Sequence, residues 1–208
     1  MDVLDQALTT LDAGGLIIVA DDEERENEGD FIGLADRVTP EMINFMITHG
    51  RGLVCFPMAR PLADRLKLSR MVPDTADPFR TAFTQSIDAH PRFGVTTGIS
   101  AGDRALTIQV ALREDVCPED LVRPGHIFPL IAHDGGVFVR RGHTEAAVDL
   151  ARLAGHQPAG VIVEILRPDG TMARRDDLRS LARVFRLPYL TVSDIVLARR
   201  AVESPVSS

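Results

Sequence analysis

One short segment carries most of the chemistry that the chain displays openly. Asp21-Asp22-Glu23-Glu24-Arg25-Glu26-Asn27-Glu28-Gly29-Asp30 holds seven acids and one base, and so accounts for nearly all of the formal net charge of −7. Carboxylates spaced this closely repel one another. Two readings fit: a solvated acidic patch, as most charge runs are, or oxygen ligands for a hard cation such as Mg²⁺, which would relieve the crowding. The flanks weigh against a free patch. Leu16-Ile17-Ile18-Val19-Ala20 and Phe31-Ile32-Gly33-Leu34-Ala35 read as buried strands that tie down both ends. A calcium EF-hand is excluded, because the segment lacks the twelve-residue frame and the glycine at its sixth position.

Histidine gives the second concentration, since His126, His133, His143 and His156 are four of the six in the chain. His143 stands in Arg140-Arg141-Gly142-His143-Thr144-Glu145, just before a helical pattern. A helix start offers unpaired N–H groups and a positive dipole end, so with two arginines it can cradle a phosphate; taken alone, the segment slightly favours an ordinary N-cap with solvated arginines. His126 sits between Pro124 and Pro129, either as a stiffened site residue or as a turn histidine. Glu164 shares a strand face with Ile162 and Leu166. There, burial would raise its pKa into the range of a proton-transfer group, unless the strand lies at an edge with that face in water. Cys55 reads as a small core residue before it reads as a nucleophile. Thr96, in the hydroxyl-rich turn Gly94-Val95-Thr96-Thr97-Gly98, is a weak phosphate or sugar contact. No phosphate loop, dinucleotide fingerprint, nucleophile elbow or His-Glu-x-x-His helix occurs. What remains suits metal-assisted proton chemistry on a small phosphorylated polyol or ketose.

These groups need elements to hold them. At 208 residues, 45% hydrophobic and 25% charged, the chain can bury a sizeable core. Helical spacing runs from Val3 to Leu11 and stops at Gly14-Gly15. Thr39-Pro40-Glu41 opens a helix that ends at Gly50. Leu53 to Phe56 reads as a strand and Pro61 to Leu68 as a short helix. Residues Ser69 to Asp103 read as long loops over a site, with one strand signal around Ala82 to Ile87. Leu106 to Leu112 fits helix or strand, while Ile127 to Leu130 and Val137 to Val139 read as strands. Thr144 is expected to cap a helix closed by Gly155, Val161 to Leu166 to form a strand, and Asp176 to cap a helix through Phe185. Tyr189 to Val192 leads into a last helix capped by Ser193. The alternation predicts an α/β (α+β) fold, a mixed twisted sheet with helices packed on both faces, in one domain over 1–202 with a disordered tail at 203–208. The acidic balance, the lack of Trp and the single Tyr189 argue against nucleic acid. Two cysteines cannot staple the fold, no apolar run spans a membrane, and Met1 opens no signal peptide. A soluble, cytoplasmic protein is expected.

Five motifs together resemble 3,4-dihydroxy-2-butanone 4-phosphate synthase of riboflavin biosynthesis: the acidic segment, Gly94 to Ser100, Arg123-Pro-Gly-His-Ile-Phe-Pro-Leu130, Arg140 to Ala146 and Pro158-Ala-Gly-Val-Ile-Val-Glu164. They follow the family's order over nearly the whole chain, which is similar to the monofunctional form. The resemblance implies a lyase that converts D-ribulose 5-phosphate to L-3,4-dihydroxy-2-butanone 4-phosphate and formate by Mg-assisted enediolate formation, dehydration and skeletal rearrangement. It implies Mg²⁺ or Mn²⁺, one or two ions per site, and a homodimer. By motif position Glu26 and His143 would bind metal. Arg25, Glu26, Asp30, Arg140, Arg141, Gly142, His143, Thr144 and Glu164 would contact substrate. His126 and Glu164 match catalytic residues, with Cys55, Glu28 and Thr96 in supporting places. Ile131, where arginine is common, and Arg141, where a small residue is frequent, depart from the pattern and bear on the phosphate contacts. A catalytically silent metal or sugar-phosphate binder, or a ketose-phosphate isomerase, would fit the same residues less fully.

Overall fold

The computed structural model describes residues 2–72 and 76–203. Helix α1 (Val3–Asp12) starts where the Asp2 carboxylate accepts the Val3 N–H at 2.6 Å. It ends at Ala13, followed by Gly14 in the left-handed region at φ +79°, which glycine adopts without strain. Strands β1 (Ile17–Ala20) and β2 (Gly29–Leu34) are buried at every position, as expected of strands covered on both faces. Helix α2 (Pro40–His49) is capped by Thr39, whose hydroxyl accepts the Met42 N–H at 3.1 Å. Then come β3 (Cys55–Met58), α3 (Arg60–Arg65), β4 (Ile87–Ala89), α4 (Ala101–Leu112), β5 (Leu121–Ile131) and α5 (His143–Leu153). The chain continues through β6 (Gly160–Glu164), α6 (Arg175–Phe185), β7 (Tyr189–Thr191) and α7 (Val192–Glu203).

The seven strands form one mixed sheet in the order β4-β5-β3-β6-β2-β1-β7. The β1/β2, β2/β6, β3/β6 and β4/β5 pairs are antiparallel, and β1/β7 and β3/β5 are parallel. Period-two alternation sends neighbouring residues to opposite faces, and each face builds its own core. Ile18, Ala20, Phe31, Phe56, Val161 and Val163 pack with Met42, Ile43 and Met46 of α2, Ala105 and Ile108 of α4, and Leu178 and Ala182 of α6. Ile17, Val19, Ile32, Leu34, Cys55 and Ile162 pack with Ala7 and Leu11 of α1, Ala146, Ala147 and Leu150 of α5, and Val192, Ile195 and Val196 of α7. The expected architecture of helices on both faces is what the chain adopts.

Several local expectations are corrected. Val137 to Val139 is not a strand: Gly136–Phe138 is a 3-10 turn, held where the buried Asp149 carboxylate accepts the Val137 N–H at 2.9 Å, and apolar character alone could not tell the two apart. Helix α5 starts at His143, and its cap is Gly142, two residues before Thr144. Arg174 and not Asp176 precedes α6, and Ser193 lies inside α7. The strand signal at Ala82 to Ile87 resolves into two isolated bridges, Phe83 to Leu130 and Thr84 to Arg70, followed by β4. The ambiguous 106–112 stretch is helical from Ala101, because Ser100 caps it through the Asp103 N–H. Of the expected tail, Glu203 closes α7, while 204–208 lie outside the described residues.

The two-core arrangement has a stability consequence. Ile43→Ala removes a fully buried side chain from the first core and should cost about 2–5 kcal/mol. Val184→Ala, on the exposed side of α6, should change stability by no more than about 0.5 kcal/mol. Urea unfolding of both variants checks the pair, and equal effects would contradict the assignment of faces.

Candidate active site

The parity of the strands decides which polar groups meet. Asp30 shares a face of β2 with Ile32, Glu164 shares a face of β6 with Ile162, and Cys55 on β3 pairs directly with Ile162. All point to the side on which α5 packs. Asp30 and Glu164 are direct partners across the β2/β6 ladder, and α5 begins with His143. There a cavity of about 180 Å³ is lined by Arg25, Glu26, Glu28, Asp30, Cys55, Arg140, His143, Thr144 and Glu164, together with Thr81, Phe83, Leu130 and Ile162.

The acidic segment is the hairpin loop between β1 and β2, and Asp21 organises it. One Asp21 oxygen accepts the Glu28 N–H at 2.8 Å; the other accepts the Glu26 N–H at 3.1 Å and Arg25 Nη1 at 2.9 Å. Arg25 Nη1 also reaches Glu26 Oε2 at 2.7 Å. Burial opposes the Arg25 charge, but Glu26 and Asp21 outweigh it and hold its pKa above the ordinary value. From the far side, Arg174 donates to the Glu26 carbonyl at 2.9 Å and to the Asn27 carbonyl. The loop is thus a braced structure and not a solvated patch.

Glu26 and His143, distant in sequence, come together. Nδ1 of His143 lies 3.9 Å from Glu26 Oε2 and 3.7 Å from Asp30 Oδ1. Donor atoms of Asp21, Glu26 and His143 lie within 4.8 Å of one another. Ligands about 2.1 Å from a magnesium ion stand roughly 3–4.2 Å apart, so these donors suit one small divalent cation. Electrostatics agree. Burial, with Arg25 and Arg140 nearby and only Asp21 and the Val19 backbone opposing, pushes His143 down to about 4, which leaves the imidazole neutral and able to ligate near pH 7. Burial, reinforced by Glu164, Glu26, Glu28 and Asp21, holds the Asp30 carboxyl well above the usual range. Its Oδ1 is buried without a hydrogen-bond partner. An orphaned oxygen among crowded acids is what a cation would satisfy.

Glu164 is also raised, by burial first and Glu26 last, against the Leu53 N–H that donates to its Oε2 at 2.8 Å. Gly52 permits this approach: a Cβ there would stand 2.4 Å from Glu164 Oε2 and 2.6 Å from its carbonyl oxygen. Burial likewise raises Glu28. It also pushes the Cys55 thiol well up, with Glu164 and Asp30 adding, so Cys55 stays protonated and packs as a core residue.

Four expected residues stand elsewhere. Gly142 caps α5 and does not line the cavity. Arg141 is half exposed, 3.4 Å from Asp22, outside the cavity lining. Thr96 is spent on Asp103, donating both its N–H and its hydroxyl to that carboxylate. His126 does not line the cavity. Its Nδ1 is 2.7 Å from Asp88 Oδ2, its N–H donates to Asp88 Oδ1 at 2.9 Å, and its side chain is 42% exposed. Gly98, at φ +87°, packs over this dyad, where a Cβ would meet Asp88 at 2.1 Å and His126 at 2.6 Å. Sequence reasoning missed Asp21, Thr81, Phe83, Asp88 and Glu145. Only Asp21 carried a local signal, as the first residue after a buried strand.

The pKa directions fix the sign of a pH effect. In the cation-free protein, Asp30 titrates above its unfolded value, so stability falls as pH rises from the ordinary carboxylate range through the raised one. His143, depressed from 6.5 to about 4, removes stability as pH falls through that window. A divalent cation must displace the Asp30 proton, so its binding should strengthen with rising pH and release protons. Calorimetric Mg²⁺ titrations in buffers of different ionisation enthalpy measure this, and pH-independent binding with no proton release would contradict the site.

A family model described as 3,4-dihydroxy-2-butanone 4-phosphate synthase matches residues 5–198. Riboflavin biosynthesis protein RibBA of Bacillus mycoides (strain KBAB4) is 55% identical over 204 residues, 98% of this chain and 51% of that protein. RibBA of Aquifex aeolicus (strain VF5) is 51% identical over 205 residues, 99% of this chain and 50% of that protein. The chain therefore spans about half the length of these curated relatives. A crystal structure of 3,4-dihydroxy-2-butanone 4-phosphate synthase in complex with two magnesium ions aligns with a TM-score of 0.91 at 41% identity, covering 98% of this chain and 99% of that one. On this match of sequence, fold and acidic cavity, the chain belongs to the 3,4-dihydroxy-2-butanone 4-phosphate synthase family.

Proposed function

We propose that this chain converts D-ribulose 5-phosphate to L-3,4-dihydroxy-2-butanone 4-phosphate and formate. The observation that carries the reading is the convergence of Glu26, His143 and the orphaned Asp30 oxygen on a cavity that also holds the raised-pKa Glu164. Glu26 and His143 hold Mg²⁺ or Mn²⁺, one ion or two, in line with the two magnesium ions of the related structure. A bound divalent cation supplies Lewis acidity toward neighbouring substrate oxygens. Glu164 removes the proton beside the substrate carbonyl, since its raised pKa makes it a better base near neutral pH. Arg25 and Asp30 orient the hydroxyls. Arg140, Gly142 and Thr144, at the start of α5, take the phosphate, where N–H groups and the helix dipole favour an anion. Arg141 contributes from the surface, Cys55 and Glu28 support the cavity wall, and Thr96 acts only at a distance, through the turn that it ties to Asp103. No helix among the described residues is long and apolar enough to cross a membrane, and two free cysteines suit a reducing cytoplasm.

His126 is the proton donor for loss of the C1 hydroxyl, held by Asp88 in one ring orientation as a buried carboxylate holds a catalytic imidazole. Because it stays outside the cavity of its own chain, we infer a homodimer in which His126 of the partner subunit completes each site.

Purified protein with ribulose 5-phosphate and Mg²⁺ should release one formate per product. An aldose or epimer would support an isomerase, and no turnover a silent binder. Glu164→Gln should lower turnover by about 10²–10⁴-fold with substrate binding retained; near-normal turnover would remove it as the base. His126→Ala and Glu164→Gln chains, each inactive alone, should regain activity when mixed and refolded. Failure to complement would place both groups in one subunit.

A further inference from the structure

Glu145 is only 1% exposed and does not line the cavity. A carboxylate this deep must be paired. Oε1 accepts the His133 backbone N–H at 2.9 Å, and Oε2 accepts Arg140 Nη1 at 2.6 Å. Arg140 is held from the other side as well: Nε donates to the Phe79 carbonyl at 2.9 Å and Nη2 to the Thr81 hydroxyl at 2.9 Å. Every nitrogen of the guanidinium is thereby anchored. Three of its five N–H groups are used, and one on each terminal nitrogen is left for an anion.

The restraint answers an electrostatic problem. Arg140 lines the same cavity as Glu26, Glu28 and Asp30. An unrestrained arginine would swing toward those acids, neutralising the cation ligands and leaving the phosphate position. Glu145 supplies a competing carboxylate on the helix side. Gly142 makes room for the fold-back: a Cβ there would stand 2.2 Å from Arg140 Nη1 and 3.0 Å from Glu145 Oε2.

We propose that Glu145 is a positioning residue, which acts through Arg140 to hold a planar two-point anchor for the substrate phosphate and to keep that cation apart from the acidic hairpin. This rests on the reading of the cavity as a sugar-phosphate site.

The test compares Glu145→Gln, Arg140→Ala and the double variant, reading formate release, inhibition by inorganic phosphate, and inorganic phosphate binding by calorimetry. Glu145→Gln should raise KM for ribulose 5-phosphate, and weaken inhibition by phosphate, about tenfold or more, with kcat changed less than about threefold. In the Arg140→Ala background it should add nothing. KM and phosphate inhibition within about twofold of wild type, or an equal cost in both backgrounds, would overturn the proposal. Should Glu145→Gln fail to fold, Gly142→Ala displaces the guanidinium without deleting a buried group, and the same rise in KM is expected; an unchanged KM overturns the proposal. Phosphate binding that Glu145→Gln weakens, in a protein that releases no formate, would reject the lyase reading and leave the positioning role standing. Formate release with both KM and phosphate inhibition untouched by Glu145→Gln would do the reverse.

Discussion

Two carboxylates face each other across β2 and β6, two neighbouring strands that are otherwise apolar. Asp30 and Glu164 are direct partners in the β2/β6 ladder, and directly opposed residues bring their Cβ atoms to within about 4.5–5.5 Å. Like charges so placed destabilise a sheet. Register cannot relax them, because a one-residue slip would exchange the residues of β2 between the two cores. The site therefore stores electrostatic cost in its most rigid element. The hairpin adds Glu26 and Glu28 to the same cavity, and among the described residues the arginines lining it are Arg25, tied to Asp21 and Glu26, and Arg140, tied to Glu145. What is missing is positive charge at the centre, where a neutral imidazole and an unpartnered carboxylate oxygen lie about 4 Å apart.

Helix α5 resolves how one sheet face can be both core and cavity wall. Ala146, Ala147 and Leu150 close the apolar part, and Gly160 lets the helix approach, with Ala147 only 2.9 Å from where a Cβ would be. One turn earlier the same helix presents His143 and Thr144. The spacing between core and site is thus a property of one helix, and its start sets the depth of the imidazole. That start at Gly142 also lets the Arg140 side chain fold back over the first turn.

Much of this was legible in the residues alone. Buried strands read as unbroken apolar runs, and caps such as Thr39-Pro40 carry their mechanism in their side chains. The acidic hairpin announced itself because charge between two buried runs has nowhere to disperse. Glu164 was legible from period two. What could not be read depended on pairing across the fold. Asp88 is one acid among many until β4 lies beside β5 and gives it His126. Glu145 looks like a helix-start acid until Arg140 turns back to it. Thr81 and Phe83 sit in a stretch without strong periodicity, and their place follows from a single bridge to Leu130 in β5 and from the Arg140 contact. The misread strand at 137–139 has the same origin, since the buried carboxylate that shapes it lies a dozen residues on.

The charge arrangement also ties function to stability. A group that binds only the folded state stabilises it by mass action, and here the folded state carries the cost that binding removes. Without a cation the raised Asp30 carboxyl eases that cost by holding its proton; the cost returns as pH rises, and the hairpin and the end of β6 should then be among the easier parts of the molecule to open. The cores flanking the sheet keep the rest folded meanwhile. A sequence that replaced Asp30 or Glu164 by an apolar residue would gain stability and lose the reason for the cavity, which is the usual trade at a built site. Retaining both acids on one buried face, with Arg25 and Arg140 each held by a carboxylate of its own, keeps the cavity anionic at its centre and cationic only at its walls. That separation is what the proposed substrate, with hydroxyls at one end and a phosphate at the other, would require.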